Sequence, residues 1–148
     1  MHYFEYILRR RMRQRAYNKF MPAAPKFDPV RLFQALGNPT RLRLLNLMGR
    51  QEICVCEFVR VLDQPQPMIS QHLASLRAAG LVEARREGKW MHYRLAEPPY
   101  AEAAALLAQT LEWMSKDKKM LADRARLGKA NALSTQFVDC KTLGQQRP

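Results

Sequence analysis

Three consecutive stretches decide the reading of this chain: Cys54-Val-Cys-Glu-Phe-Val-Arg-Val-Leu62, Asp63-Gln-Pro65, and Gln66-Pro-Met-Ile-Ser-Gln-His-Leu-Ala-Ser-Leu-Arg-Ala-Ala-Gly80. In the first, Val55, Phe58, Val59 and Leu62 recur at i, i+3, i+4 and i+7, the spacing of one helix face. Asp63-Gln64-Pro65 reads as a turn. Pro67 then starts a second helix, and Gly80 fits the position just past its end, where a left-handed residue is needed. Two helices joined by so short a turn, the later one with a sharp start, form a helix-turn-helix pattern.

Upstream, Asp28-Pro29 and Asn38-Pro39 each supply a side-chain cap followed by proline at the first helical position. They predict one helix with Phe33 and Leu36 on a shared face, ended by Gly37, and another running to about Met48. Downstream, Leu81–Arg86 and Trp90–Leu95 are β-like runs around Glu87-Gly88-Lys89, a hairpin loop containing glycine. After Pro98-Pro99 a single long helix is expected from Tyr100 to about Arg126. The fold class is therefore mainly α (α+β): a winged helix-turn-helix with a two-stranded β-hairpin wing and a long C-terminal dimerisation helix. The expected division is 1–27 as a basic extension and Pro-containing linker, 28–118 as the DNA-binding and dimerisation domain, and 119–148 as the end of the last helix and a tail.

Charge narrows the partner. Among 148 residues, 25 Lys and Arg face 13 Asp and Glu, a formal net charge of +12. Such a surface attracts polyanions. No stretch approaches the ~18 apolar residues that a membrane span requires, and no secretory signal precedes the domain. Three cysteines, two of them in Cys-Val-Cys, suit a reducing cytoplasm and reactive or metal-binding thiols rather than a disulfide scaffold. The first twenty residues hold six basic side chains against Glu5 alone. A basic arm adding DNA affinity, a tail without function, and a start at Met21 all fit that segment.

At ~100° per residue, Ile69, Leu73 and Leu76 share the packed face of the fourth helix. Pro67, Met68, Gln71, Ala74, Ser75 and Ala78 lie opposite, with Ser70 and Arg77 at the margins and Gln66 beside its start. Small residues let such a helix sit deep in a major groove. Gln71 suits adenine, Ser70 and Ser75 suit bases or phosphates, and Arg77 suits a phosphate. His72 falls near the buried edge, which fits packing or orienting a phosphate. Arg85, Arg86, Lys89 and Arg94 make the hairpin a basic wing, with Arg86 and Lys89 as its expected DNA contacts. The expected partner is thus double-stranded DNA.

Four ordered motifs carry a resemblance: Leu36-Gly-Asn-Pro-Thr-Arg-Leu-Arg-Leu-Leu45, Ile53-Cys-Val-Cys-Glu57, Leu62-Asp-Gln-Pro-Gln-Pro-Met-Ile-Ser-Gln-His-Leu73 and Gly88-Lys-Trp-Met-His-Tyr-Arg-Leu95. Over roughly residues 28–115 the chain resembles the ArsR/SmtB family of metalloregulatory repressors, and its Cys-Val-Cys is most similar to the arsenic-responsive branch. The resemblance implies a dimeric winged-helix repressor that leaves its operator when an inducer binds. Two departures matter. Members of that branch often carry a third cysteine where this chain has Val59, and the family's recognition helix often carries cationic residues where this chain has Met68 and Gln71. The zinc site that other members build from Asp and His on the last helix has no counterpart, since residues 100–120 lack histidine.

Cys54 and Cys56 are the candidate inducer ligands. Two residues apart in a regular helix, their side chains would point ~200° away from each other, so the first turn would have to unwind for both to grip one ion. Soft thiolates favour As(III) or Sb(III), alternatively Cd(II) or Pb(II); Cys140 is a candidate third ligand, with a solvent thiol or a site of only two protein ligands as the other readings. No catalytic cofactor is expected. Thiol oxidation or persulfide formation at the same cysteines is the alternative signal, and a thiol-based metal-delivery module is a further rival. A Cys nucleophile paired with His72 or His92 finds no acidic orienter or Gly-rich loop, so no enzyme is expected. Finally, Tyr100, Ala104, Leu107, Leu111 and Met114 recur at spacings of four and three. That seam is the expected homodimer interface, with packing on the chain's own core as the other reading.

Overall fold

Both Asx-Pro starts behave as capped helix N-termini. In the computed structural model, which describes residues 28–49 and 51–134, α1 spans Pro29–Leu36 and α2 spans Pro39–Leu47. The Asp28 carboxylate accepts from Arg31 N–H at 3.2 Å, and the Asn38 side chain accepts from Arg41 N–H at 3.1 Å. The inward face of α1 differs from expectation. Leu32 and Ala35 are buried, while Phe33 is 61% exposed. Leu32, Ala35 and Leu36 form the i, i+3, i+4 set, and Phe33 lies about 100° round the helix from Leu32.

The helix-turn-helix follows as α3, Val55–Leu62, and α4, Gln66–Ala78. Asp63 closes α3 in the left-handed region at φ 52°. On α4, Ile69, Leu73 and Leu76 are fully buried, as their spacing requires. Gly80 ends α4 at φ 73°, with its N–H bonded to Arg77 O and the Leu81 N–H bonded to Leu76 O, both at 3.0 Å. These two bonds satisfy carbonyls that a helix end otherwise leaves open.

The hairpin forms from β2, Val82–Glu87, and β3, Trp90–Leu95. Glu87 pairs with Trp90, so the loop is two residues, with Gly88 at φ 60° in its first position. A two-residue strand, β1 (Ile53–Cys54), joins the sheet in the antiparallel order β1-β3-β2, with Ile53 opposite Tyr93 and Cys54 opposite His92. The expected helix start at Cys54 is corrected accordingly. Cys54 is extended (φ −71°, ψ 145°) and α3 begins at Val55.

The single C-terminal helix is also corrected. The chain breaks at residues 115–117 into α5, Ala101–Met114, and α6, Lys118–Ser134. Asp117 is the reason: its Oδ1 accepts from Lys119 N–H at 2.9 Å and Met120 N–H at 3.0 Å, the geometry of an N-cap. Helix α6 then packs on α2 and α3. Met120 and Leu127 enter the core formed by Leu44, Leu45, Phe58, Ile69, Leu73, Leu76 and Leu107. Asp123, fully buried, takes Arg43 of α2 in a two-bond ion pair at 2.6 and 2.8 Å. Asn46 Nδ2 donates to Met120 O at 3.0 Å, and Arg126 Nη1 to Val61 O at 3.2 Å. Among the described residues, no helix is long and apolar enough to cross a membrane.

Candidate nucleic-acid interface and thiol site

Burying Ile69, Leu73 and Leu76 turns the rest of α4 outward. Gln66, Met68, Ser70, Gln71, Ser75 and Arg77 are all exposed. The Ser75 hydroxyl donates to Gln71 O at 3.1 Å, tying itself to its own helix. His72 is half-buried, and burial first, then the nearby Arg41 charge, lowers its pKa. A neutral imidazole at this edge suits packing better than phosphate attraction. Upstream of α4, Gln64 Nε2 donates to Thr40 Oγ1 at 3.4 Å, linking the inter-helix turn to α2.

The wing carries less spare charge than its four cations suggest. Arg94 of β3 donates twice, at 3.0 and 2.8 Å, to Oε2 of Glu83, its directly paired residue on β2. Arg85 holds Glu52 through Nε at 3.0 Å and Glu87 through Nη2 at 2.9 Å. Hydrogen bonding to Arg85 lowers the Glu52 pKa, and the two carboxylates raise that of Arg85 in return. His92 lies 3.8 Å from both carboxylates. Arg86 and Lys89 have no carboxylate partner among the described residues. Arg86 Nε donates to Gly88 O at 2.9 Å, and Lys89 Nζ sits 5.4 Å from the Trp90 ring centroid. The positive tip is therefore Arg86 and Lys89. The Glu83–Arg94 pairing follows from the hairpin register, whereas Glu52 comes from outside the hairpin and left no local signal.

The thiol pair departs from the helical geometry expected of it. Because Cys54 is the last residue of β1 rather than the first of a helix, its side chain is not on the α3 screw. The two sulfurs lie 2.9 Å apart without any unwinding. Cys54 is buried, and its N–H donates to Glu57 Oε2 at 3.0 Å. Burial pushes the Cys54 thiol pKa up; the Cys56 backbone N–H pulls the other way, and Glu57 adds a further rise. Cys56 is half-buried. Cys140, the candidate third ligand, lies outside the described residues. Among the described residues, no group of three or more His, Cys, Asp or Glu is placed to hold a metal ion.

The proposed dimer seam faces largely inward. Leu107 is fully buried and Ala104 and Met114 are buried within the single chain, while Tyr100 and Leu111 are half-buried. Trp113, beside that stripe, is 77% exposed.

With this geometry the relatives can be placed. Residues 38–84 match the family described as "Bacterial regulatory protein, arsR family". Over 104 residues the chain is 40% identical to the arsenical resistance operon repressor of Escherichia coli (strain K12), covering 70% of this chain and 87% of that protein. The chain belongs to the ArsR/SmtB family. It is a DNA-binding winged helix-turn-helix regulator and not an enzyme. It is also similar to the probable mercury resistance operon repressor of Streptomyces lividans, 41% identical over 86 residues, or 58% of this chain and 69% of that one. Among solved structures, HlyU from Vibrio cholerae N16961 superposes with a TM-score of 0.52 at 32% identity, over 60% of this chain and 92% of that one. Family membership thus accounts for the recognition helix and the wing but does not choose among inducers.

Proposed function

We propose that this protein is a homodimeric repressor that holds operator DNA when its thiols are empty and leaves when As(III) or Sb(III) bridges Cys54 and Cys56. Cd(II) and Pb(II) are the alternative ions of matching softness. The carrying observation is the meeting of the two sulfurs where β1 passes into α3, the helix before the reading helix. The arsenical resistance function of the Escherichia coli relative supports the choice of ion. Cys140 is the third sulfur we assign to the site.

Cys54 and Cys56 would hold the ion where β1 meets α3, so its capture would bear on both elements. The first is hydrogen-bonded to β3 of the wing, and the second packs on α4. Glu52, just before β1, reaches Arg85 on the wing, giving β1 a second grip on it. Glu52→Gln is expected to leave operator affinity within about threefold while weakening release by As(III) roughly tenfold. Titrating labelled DNA with inducer checks this, and an unchanged release curve removes Glu52 from the route.

On the DNA, Gln66, Met68, Ser70, Gln71 and Ser75 are assigned to base edges and nearby backbone, with Arg77 on a phosphate and His72 packing beside them. Arg86 and Lys89 are assigned to backbone contacts from the wing. A dimer presents two such faces to half-sites about one helical turn apart. Trp113 and the half-buried Tyr100 and Leu111 are its assigned contact surface, with Ala104, Leu107 and Met114 supporting it from within. The second reading is thiol oxidation or persulfide sensing, favoured by the closeness of the two sulfurs. Mass spectrometry of reduced protein exposed separately to arsenite, peroxide and a polysulfide carrying sulfane sulfur, paired with operator release, separates the two. Release by arsenite with a matching mass adduct supports the metalloid reading, and release only with oxidised or persulfidated sulfur replaces it.

A further inference from the structure

Between the α1–α2 corner and the C-terminal half of α4 lies an open cleft of about 390 Å³. Two guanidiniums, Arg31 and Arg41, line it with Gln34 and, from the reading helix, Ser75. Among the described residues, no carboxylate lines it. Arg41 is fixed in place: Nε donates to Ala35 O at 2.6 Å and Nη2 to Gln34 O, both carbonyls at the end of α1. Its charge is felt on α4, where it contributes to the lowered pKa of His72. Arg31 is exposed, and among the described residues its guanidinium has no carboxylate partner. The cleft thus joins an immobilised positive charge to an extendable one, beside the helix that enters the groove.

We infer that this cleft grips a DNA backbone phosphate flanking the base-reading contacts, with Arg31 as the closing residue and Arg41 as the fixed half of the clamp. The inference rests on the DNA-binding reading and adds a third contact to the helix and the wing. Continuity with α4 through Ser75 points to a phosphate of the same duplex rather than a free anion. A guanidinium already aligned by two carbonyls loses little freedom when an anion arrives. A backbone contact carries no base information, so its loss weakens all sequences alike.

The test compares operator and unrelated duplexes of equal length across a salt series, using the full chain, Arg31→Ala and Arg31→Lys. Arg31→Ala is expected to weaken both duplexes by roughly tenfold and to make the log–log salt slope shallower by about 0.9 per protomer. Arg31→Lys restores most of the slope. Melting temperature and the As(III) response remain those of the parent protein. A parent-like slope and affinity in Arg31→Ala, with the parent steeply salt-dependent, overturns the clamp and leaves the DNA-binding reading intact. A parent protein with no salt slope overturns both. Inorganic phosphate competing at millimolar levels against the parent but not Arg31→Ala, with no change in DNA slope, assigns the cleft to a free anion and also overturns the clamp.

Discussion

Replacing Cys54 by serine is expected to leave operator affinity within about threefold of the parent and to raise the As(III) needed for release by at least about a hundredfold. The asymmetry follows from where the residue sits. Cys54 reaches no DNA-facing surface, so the empty protein keeps its reading helix and wing. Serine keeps the size and the extended backbone of the residue that precedes α3, but an alcohol oxygen is a poor ligand for a thiophilic ion. Cys56→Ser is expected to act in the same way, and the double variant no more strongly than either single one, because each removes the shared bridge. Anisotropy of labelled operator DNA under reducing conditions reads affinity and release in one titration. A single variant that releases at the parent's arsenite concentration would remove that cysteine from the ligand set.

The second large effect concerns stability. Asp123→Ala strands the Arg43 guanidinium, whose side chain is only 11% exposed, away from its fully buried partner. Breaking such a pair from one side costs about 3–5 kcal/mol, because a buried charge is left uncompensated. For a domain of this size that lowers the melting temperature by roughly 15 °C or more. Helix α6 would detach from α2 first, since Asp123 and Met120 provide its polar anchors there. The paired replacement Arg43→Met with Asp123→Leu is expected to recover most of the loss, since no unpaired charge remains. Thermal melts of the single and double variants check this. A loss below about 1 kcal/mol in Asp123→Ala would mean that water reaches and solvates Arg43.

What could be read ahead of the structure was local. Asp28-Pro29 and Asn38-Pro39 announce helix starts because cap and proline act within one turn. Gly80 and Gly88 mark their turns because both adopt positive φ. The outward face of α4 followed from the burial of Ile69, Leu73 and Leu76. Misreadings arose where distant residues decide. Strand β1 is two residues long, too short to show alternation, and only its pairing with β3 defines it. Its presence changes the thiol geometry, because Cys54 leaves the helical screw. The break at residues 115–117, where Asp117 caps the next helix, was hidden by continuous helical periodicity on either side. Arg43 and Asp123 are 80 residues apart, so their pairing had no local trace. The stripe of Ala104, Leu107 and Met114 has the same spacing whether it faces a partner or the chain's own core.

The most direct test is to titrate fully reduced protein onto labelled operator DNA with and without stoichiometric As(III), at one fixed salt concentration. The account predicts tight binding by the empty protein and at least about a tenfold loss when arsenite is present, reversed by an excess dithiol chelator. Equal affinity with and without arsenite, in protein whose mass shows the metalloid bound, would contradict it.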